Sequence, residues 1–297
     1  LPLVENNMKN FRILMAPAWF SALLMVLSAC SAPLEDRLGG ISLSKESLTG
    51  KFIWHDLITD DVTQSKRFYR EVLGWSYEDT TGPGGRPYTL IFAGNRLVAG
   101  MVEMDDPAQA DYTRWLGYVS VDDVSKAVTF VRSRGGSAVV GPVDLSGIGR
   151  AAAILDPQQA VVGLLESAVG DPDDSLRPRP GVVVWNELVS SDAAEAAGFY
   201  AALAGMDVVE QQRPLGVYRV LRSQGQPRAG IMPRPTDDIE PFWLSHFGVA
   251  DVAVATARVE AEGGQVLLEP SPEFRDGSMA VVVDPAGAIL ALKQWTH

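Results

Sequence analysis

Three histidines, His55, His246 and His297, and one cysteine, Cys30, are the whole imidazole and thiol content of this 297-residue chain. Proton transfer near neutral pH would therefore rest on a carboxylate beside one imidazole, a pair able to hold one base and one acid. Four short apolar runs offer such groups at two-residue spacing: Trp54 and Asp56, Leu116 and Tyr118, Trp185 and Glu187, Leu244 and His246. Side chains alternate along a strand, so residues two apart share a face. Glu187 with His246 is the acid/base candidate. Asp56 with Tyr118 is the weaker one, because tyrosine is a poor base at pH 7. Satisfied polar residues that fix their strands are the competing reading of both pairs. Trp54 and Trp185 offer indoles on which a flat ligand can stack, or which can fill space as core.

The elements that must position these residues repeat along the chain. Phe52 to Asp61 matches Val183 to Asp192, and each is followed at the same interval by a Phe-Tyr pair, Phe68-Tyr69 and Phe199-Tyr200. Leu73-Gly74-Trp75 and Ala204-Gly205-Met206 close those segments. Arg114 to Val124 matches Phe242 to Val252. Each of these leads to a Gly-Gly pair (135–136 and 263–264) and then to Asp-Pro, Asp156-Pro157 and Asp284-Pro285. Each half reads as a strand, an Asp able to cap a helix, a helix of about twelve residues, a glycine stop and further short strands. The expected class is α+β, with four βαβββ units near 52–104, 114–166, 182–233 and 242–294. They pair into a first domain over 51–168 and a second over 181–297. The Pro- and Asp-rich stretch 169–180 is the linker.

With 37 acidic and 25 basic side chains, the net charge is −12. No nucleic-acid partner is expected, since binding phosphate needs a basic surface. Too few Cys and His are present for a Cys- or His-rich metal module. No phosphate-binding loop and no nucleophile elbow occurs; Gly82-Pro83-Gly84-Gly85 reads as a turn. Residues 1–29 carry Lys9 and Arg12, an apolar run from Ile13 to Leu27 and then Leu27-Ser28-Ala29-Cys30. That order is the form of a secretory signal, and its end resembles the lipobox of bacterial lipoproteins. The resemblance implies lipidation of Cys30, a mature chain starting there, a tether over 30–50, and domains held in the periplasm by an anchor in the envelope, most consistent with the outer membrane.

The repeated strand–Asp–helix with Phe68-Tyr69, Leu73-Gly74-Trp75, Gly135-Gly136, Asp156-Pro157 and Asp284-Pro285-Ala286-Gly287 resembles the vicinal-oxygen-chelate superfamily of glyoxalase I, bleomycin-resistance proteins and extradiol dioxygenases. The resemblance covers nearly everything after residue 51. It implies that two units pair curved sheets around a cleft, one cleft per domain. It also implies where a metal would be held: Trp54, Leu116 and Gly163 in the first domain, Trp185, Leu244 and Ala291 in the second. None of these side chains ligates a divalent cation, so no metal and no cofactor is expected. A slipped first strand would bring in His55, and a slipped last strand Glu166. Under the same resemblance the first cleft holds Trp54, Asp56 and Tyr118, and the second Trp185, Glu187 and His246. The loops at Gly141-Pro142 and Glu269-Pro270 border the cleft mouths. Arg150 and Arg275 lie near them, with surface solvation their expected role and contact with an anionic ligand the alternative. Two functions fit: a lipid-anchored protein binding a small organic molecule in one or both clefts, or a lyase- or isomerase-type enzyme using Glu187 and His246 or a metal site.

Overall fold

The computed structural model describes residues 43–81, 86–104, 113–145, 147–175, 177–213 and 216–295. The expected leader, Cys30, the turn at 82–85 and His297 lie outside these residues.

Each expected unit is a strand, a helix and three strands. The first domain runs β1 (Phe52–Thr59), α1 (Val62–Leu73), β2 (Trp75–Thr81), β3 (Pro87–Ala93) and β4 (Arg96–Glu103), then β5 (Arg114–Ser120), α2 (Val124–Ser133), β6 (Ser137–Leu145), β7 (Gly149–Leu155) and β8 (Val161–Ser167). The second runs β9 (Val183–Ser190), α3 (Ala193–Ala204), β10 (Asp207–Arg213), β11 (Gly216–Ser223) and β12 (Gln226–Pro233), then β13 (Phe242–Val249), α4 (Val252–Ala261), β14 (Gln265–Leu268), β15 (Met279–Val283) and β16 (Ile289–Gln294). Each helix starts at an aspartate whose carboxylate accepts a first-turn N–H, for example Gln64 N to Asp61 at 2.8 Å and Lys126 N to Asp123 at 2.9 Å. Such a cap contributes about 1 kcal/mol. Gly74 and Gly205 end α1 and α3 in the left-handed conformation, as a C-terminal stop requires.

Each domain is one eight-stranded sheet, in the orders β2-β3-β4-β1-β5-β8-β7-β6 and β10-β11-β12-β9-β13-β16-β15-β14. The two units of a domain join through their first strands, antiparallel, with Trp54 opposite Tyr118 and Trp185 opposite His246. The stretch from Gly141 to Asp144, expected as a loop, lies within β6. That strand is a sheet edge, where Pro142 forfeits no ladder bond.

The helix faces of the two sheets pack against each other, and the pairing there is diagonal. One core joins the first unit to the fourth, with Phe68, Tyr69 and Val72 of α1 against Val252, Ala255 and Val259 of α4. The other joins the second to the third, with Val124, Val128 and Val131 of α2 against Ala193, Ala196 and Tyr200 of α3. Burying each large side chain is worth roughly 1.5–3 kcal/mol. The repeated Phe-Tyr and Asp-Pro motifs meet in this seam. Tyr69 donates to Asp284 at 2.9 Å and Tyr200 donates to Asp156 at 2.9 Å. Trp115 and Trp243 donate in turn to Tyr69 and Tyr200, each at 2.9 Å. Burial pushes the Asp284 carboxyl up to about 6, against the downward pull of the Ala288 amide and the Tyr69 hydroxyl.

The linker is docked. Asp171 is buried and accepts from Leu48 N at 2.5 Å and Ser120 Oγ at 2.6 Å. Buried Arg228 of the second domain grips Asp174 with both terminal nitrogens, at 2.6 and 2.9 Å. Residues 43–50, the end of the expected tether, pair with this segment, Leu43 bridging Pro172.

Candidate functional site

The sheet faces turned away from the seam carry the residues expected to line the two clefts. In the first, Trp54 Nε1 donates to Asp56 Oδ1 at 2.9 Å and Tyr88 Oη donates to the same oxygen at 2.7 Å. Tyr118 also lies against this carboxyl. The structure thus brings Trp54, Asp56 and Tyr118 together and adds Tyr88. Burial raises the Asp56 pKa, and bonds from Tyr88, Trp54 and Tyr118 oppose the rise. Gly100 makes room for Tyr88: a methyl group there would stand 1.6 Å from the Tyr88 hydroxyl. The wall around this polar knot is apolar, with Leu116, Leu145, Ala153 and Leu165 buried beside Tyr118.

The second cleft repeats the frame. Trp185 Nε1 donates to Tyr218 Oη at 2.9 Å, and Gly230 clears the way for that hydroxyl, where a methyl group would stand at 1.8 Å. Glu187 replaces Asp56 and is 1% exposed. Arg275 Nη2 reaches Glu187 Oε1 at 2.5 Å, and His246 Nε2 stands 3.6 Å from Glu187 Oε2. The latter distance exceeds hydrogen-bond length, and the buried His246 Nε2 has no hydrogen-bond partner. Burial would raise the Glu187 pKa, but His246, Arg275 and Tyr218 together outweigh it and hold it at about 2. Glu187 is therefore a fixed anion at neutral pH, not a group that trades a proton with His246 there.

Arg275 departs from its expected role of surface solvation. The loop after β14 folds inward through Arg275 (φ 51°), Asp276 (φ 55°) and Gly277 (φ 69°), all left-handed. Its guanidinium lies 5.5 Å from the Tyr218 ring centre and 6.0 Å from that of Phe274. Two adjacent non-glycine residues in this region are strained by about 1–3 kcal/mol each and persist only where surroundings hold them. Arg150 pairs at the surface with exposed Asp144 at 2.9 Å.

His55 and Glu166 stand elsewhere. His55 is buried in the seam, where Nε2 meets Asn186 Oδ1 of the other domain at 2.9 Å. Burial lowers its pKa to about 4, against the opposing bond from Asn186. Glu166 Oε2 accepts from Val124 N at 3.0 Å and so caps α2; Gln294 does the same for Val252 N at 2.9 Å.

Sequence reasoning missed Tyr88 and Tyr218 and the pairing of Arg275 with Glu187. The two tyrosines open matching strands of the repeats, and Ala99-Gly100-Met101 matches Ala229-Gly230-Ile231, so the repeat carried a signal for them. Arg275 carried none, since its counterpart in the other domain is Gly147.

The donor set can be tested against a divalent metal. Trp54, Leu116 and Gly163, and Trp185, Leu244 and Ala291, offer no ligating atom suited to one. Among the described residues, no group of three or more His, Cys, Asp or Glu is placed to hold a metal ion. Glu187, the carboxylate that stands beside His246, is already paired with a guanidinium. The side chains present do not fit such an ion.

Comparison with known proteins agrees with this architecture. A family profile described as Glyoxalase/Bleomycin resistance protein/Dioxygenase superfamily matches residues 51–164 and again 182–292. CFP32 of Mycobacterium tuberculosis, named as a candidate glyoxylase, is 33% identical over 80% of this chain and 92% of its own. The anthracycline biosynthesis protein DauV of Streptomyces sp. is 30% identical over 79% of this chain and 90% of its own. Among solved structures, the Mn(II)-bound glyoxalase of Novosphingobium aromaticivorans superposes with a TM-score of 0.56 at 17% identity, covering 84% of this chain and 83% of that one. The 2,3-dioxygenase LapB of Pseudomonas sp. KL28 gives 0.54 at 12% identity, covering 86% and 94%. These two likenesses concern the fold alone.

Proposed function

We propose, from the premise that this chain belongs to the glyoxalase/bleomycin resistance protein/dioxygenase superfamily, that it binds a small organic molecule in one or both clefts without a divalent metal. One observation carries the reading. Every family ligand position holds an indole, an aliphatic side chain or hydrogen, while each cleft keeps a tryptophan, a buried carboxylate and a tyrosine over an apolar wall. Such a surface binds an apolar body and fixes it with a few polar contacts. Relatives named for glyoxylase activity and for anthracycline biosynthesis support an organic ligand as the class.

Metal analysis of the purified protein is the direct test. Sub-stoichiometric metal, with a melting temperature unmoved by chelator, is expected. One manganese, iron, nickel or zinc per chain overturns the metal-free reading. A panel of small aromatic molecules followed by tryptophan emission is expected to give at least one saturable change. A flat response across the panel overturns the binding reading.

The enzymatic alternative, a lyase or isomerase acting through Glu187 and His246, is favoured by one feature, the buried and unpartnered His246 Nε2. It predicts that His246→Ala abolishes turnover in a folded protein. The proposed location is the periplasm, with a lipid anchor at Cys30. Cys30→Ala is expected to move the protein from the membrane to the soluble fraction; retention in the membrane overturns the anchor.

A further inference from the structure

The two clefts descend from one frame but differ at three matched positions. Tyr118, Gly147 and Leu165 of the first domain correspond to His246, Arg275 and Lys293 of the second, at one constant offset of 128 residues shared by Asp156 and Asp284. All three exchanges add nitrogen donors. Lys293 lies on β16 two residues after Ala291, which pairs with His246, so it shares that face. Its ammonium donates to Ser278 Oγ, at the end of the loop that carries Arg275. Burial and the nearby Arg275 charge lower its pKa. Arg213 adds a further cation at the rim, 5.7 Å from the Tyr218 ring centre.

The clefts also differ in what they leave unsatisfied. In the first, Trp54 and Tyr88 both close onto Asp56. In the second, His246 Nε2 is buried, 3.6 Å from Glu187 Oε2 and without a hydrogen bond. A buried nitrogen without a partner costs free energy that a ligand oxygen can recover. Arg275 spends one N–H of its five on Glu187. Arg275 and Lys293 stand as two cations near the Glu187 carboxylate, with His246 beside it. Asp276 is exposed on the rim, where solvent screens it. The adjoining wall is apolar: Leu244, Met279 and Ala291 are buried, with Phe242 and Phe274 packed on them.

We infer that the second cleft, not the first, is the site for a small organic monoanion, its carboxylate held by Arg275, Lys293 and the His246 Nε2–H and its apolar body laid against Leu244, Met279 and Phe274. This assignment rests on the proposed small-molecule function and sharpens it. The strained loop at 275–277 is then the device that aims the guanidinium.

The test titrates the full chain with benzoate, its neutral isostere benzamide and inorganic phosphate, read by calorimetry and tryptophan emission. Benzoate is expected to bind about tenfold or more tightly than benzamide, the difference expected of one charge-assisted contact. Lys293→Leu installs the first cleft's residue at a position that makes no bond to Glu187, so it tests the site without unpairing that carboxylate. It and Arg275→Gln are expected to abolish the preference for benzoate over benzamide. Equal binding of benzoate and benzamide overturns the monoanion assignment and leaves the small-molecule reading standing. So does a preference that survives both variants in folded protein, as judged by circular dichroism. Phosphate binding tighter than benzoate overturns it too. If neither aromatic compound binds, the assignment fails, and the wider panel decides separately whether the clefts bind small molecules at all.

Discussion

The seam between the sheets and the clefts on their far faces come from the same duplicated units, yet they have diverged to different degrees. In the seam one hydrogen-bonded triad is the same on both diagonals: Trp115, Tyr69 and Asp284 on one, Trp243, Tyr200 and Asp156 on the other, with every bond at 2.9 Å, while His55 faces its repeat partner Asn186 beside them. In the clefts the shared frame survives, but tyrosine, glycine and leucine have become histidine, arginine and lysine. Close packing explains the contrast. A seam residue touches two domains at once, and its polar atoms are buried, so a change on one side leaves a void or an orphan on the other. Arg275, at the outer end of its cluster, is partly exposed and touches one domain only, so exchange there disturbs fewer neighbours.

The largest effects should show the seam's equivalence. Trp115→Ala and Trp243→Ala should each cost about 3–5 kcal/mol in urea unfolding, because each indole is buried and holds its Tyr–Asp pair. Marked inequality between them breaks the equivalence. The next effect separates the clefts. Glu187→Gln should cost about 3 kcal/mol at pH 7, since it leaves Arg275 without its buried partner. Glu187 is held near 2, against an ordinary 4.5. Its stabilisation is therefore full above about 4.5 and is lost as pH falls through 2. Asp56→Asn should behave oppositely. The Asp56 pKa is raised, so its contribution is present at low pH and lost as pH rises, and the amide should be neutral or stabilising at pH 8. A loss of stability in that variant contradicts the contrast between the two carboxylates.

A third effect lies in the seam's own titration. The His55 pKa is lowered from 6.5 to about 4, so the unfolded chain binds the extra proton. Stability from this imidazole is full above 6.5 and falls by roughly 2–3 kcal/mol as pH drops to 4. Asp284, raised to about 6, works in the other direction, losing its contribution as pH rises through 6. His55→Gln should flatten the acid limb of a melting-temperature profile between pH 4 and 6.5; an unchanged limb refutes the buried neutral imidazole. The smallest effect is at the surface. Arg150→Ala, whose partner Asp144 is exposed, should change stability by no more than about 0.5 kcal/mol. Arg275→Ala, its neighbour in kind, should change it by clearly more.

Much of the frame was legible because the chain states it four times. The strand–Asp–helix order, the glycine stops and the two-residue period put Trp54 with Asp56 and Trp185 with Glu187 on common faces, and the sheets place them so. The edge strands β2 and β10 leave little trace in the sequence because they are polar along most of their length. An edge strand facing solvent has no reason to alternate. Tyr88 and Tyr218 were overlooked because a tyrosine in a strand reads as core until the glycine opposite it is seen to admit its hydroxyl. The pairing of Arg275 with Glu187 was beyond reach, since its inward course depends on a left-handed loop and on a carboxylate 88 residues away.

The amino-acid sequence by itself determined the units and their number, because these follow from local pattern and residue type. It did not determine which units share a core. Sequence neighbours bond within one sheet, but the helices pack diagonally, first with fourth and second with third. Only the folded chain brings Tyr69 to Asp284 and Arg275 to Glu187. Such contacts depend on where two apolar faces find each other, and on the angle of one strained loop, which no periodicity along the chain records.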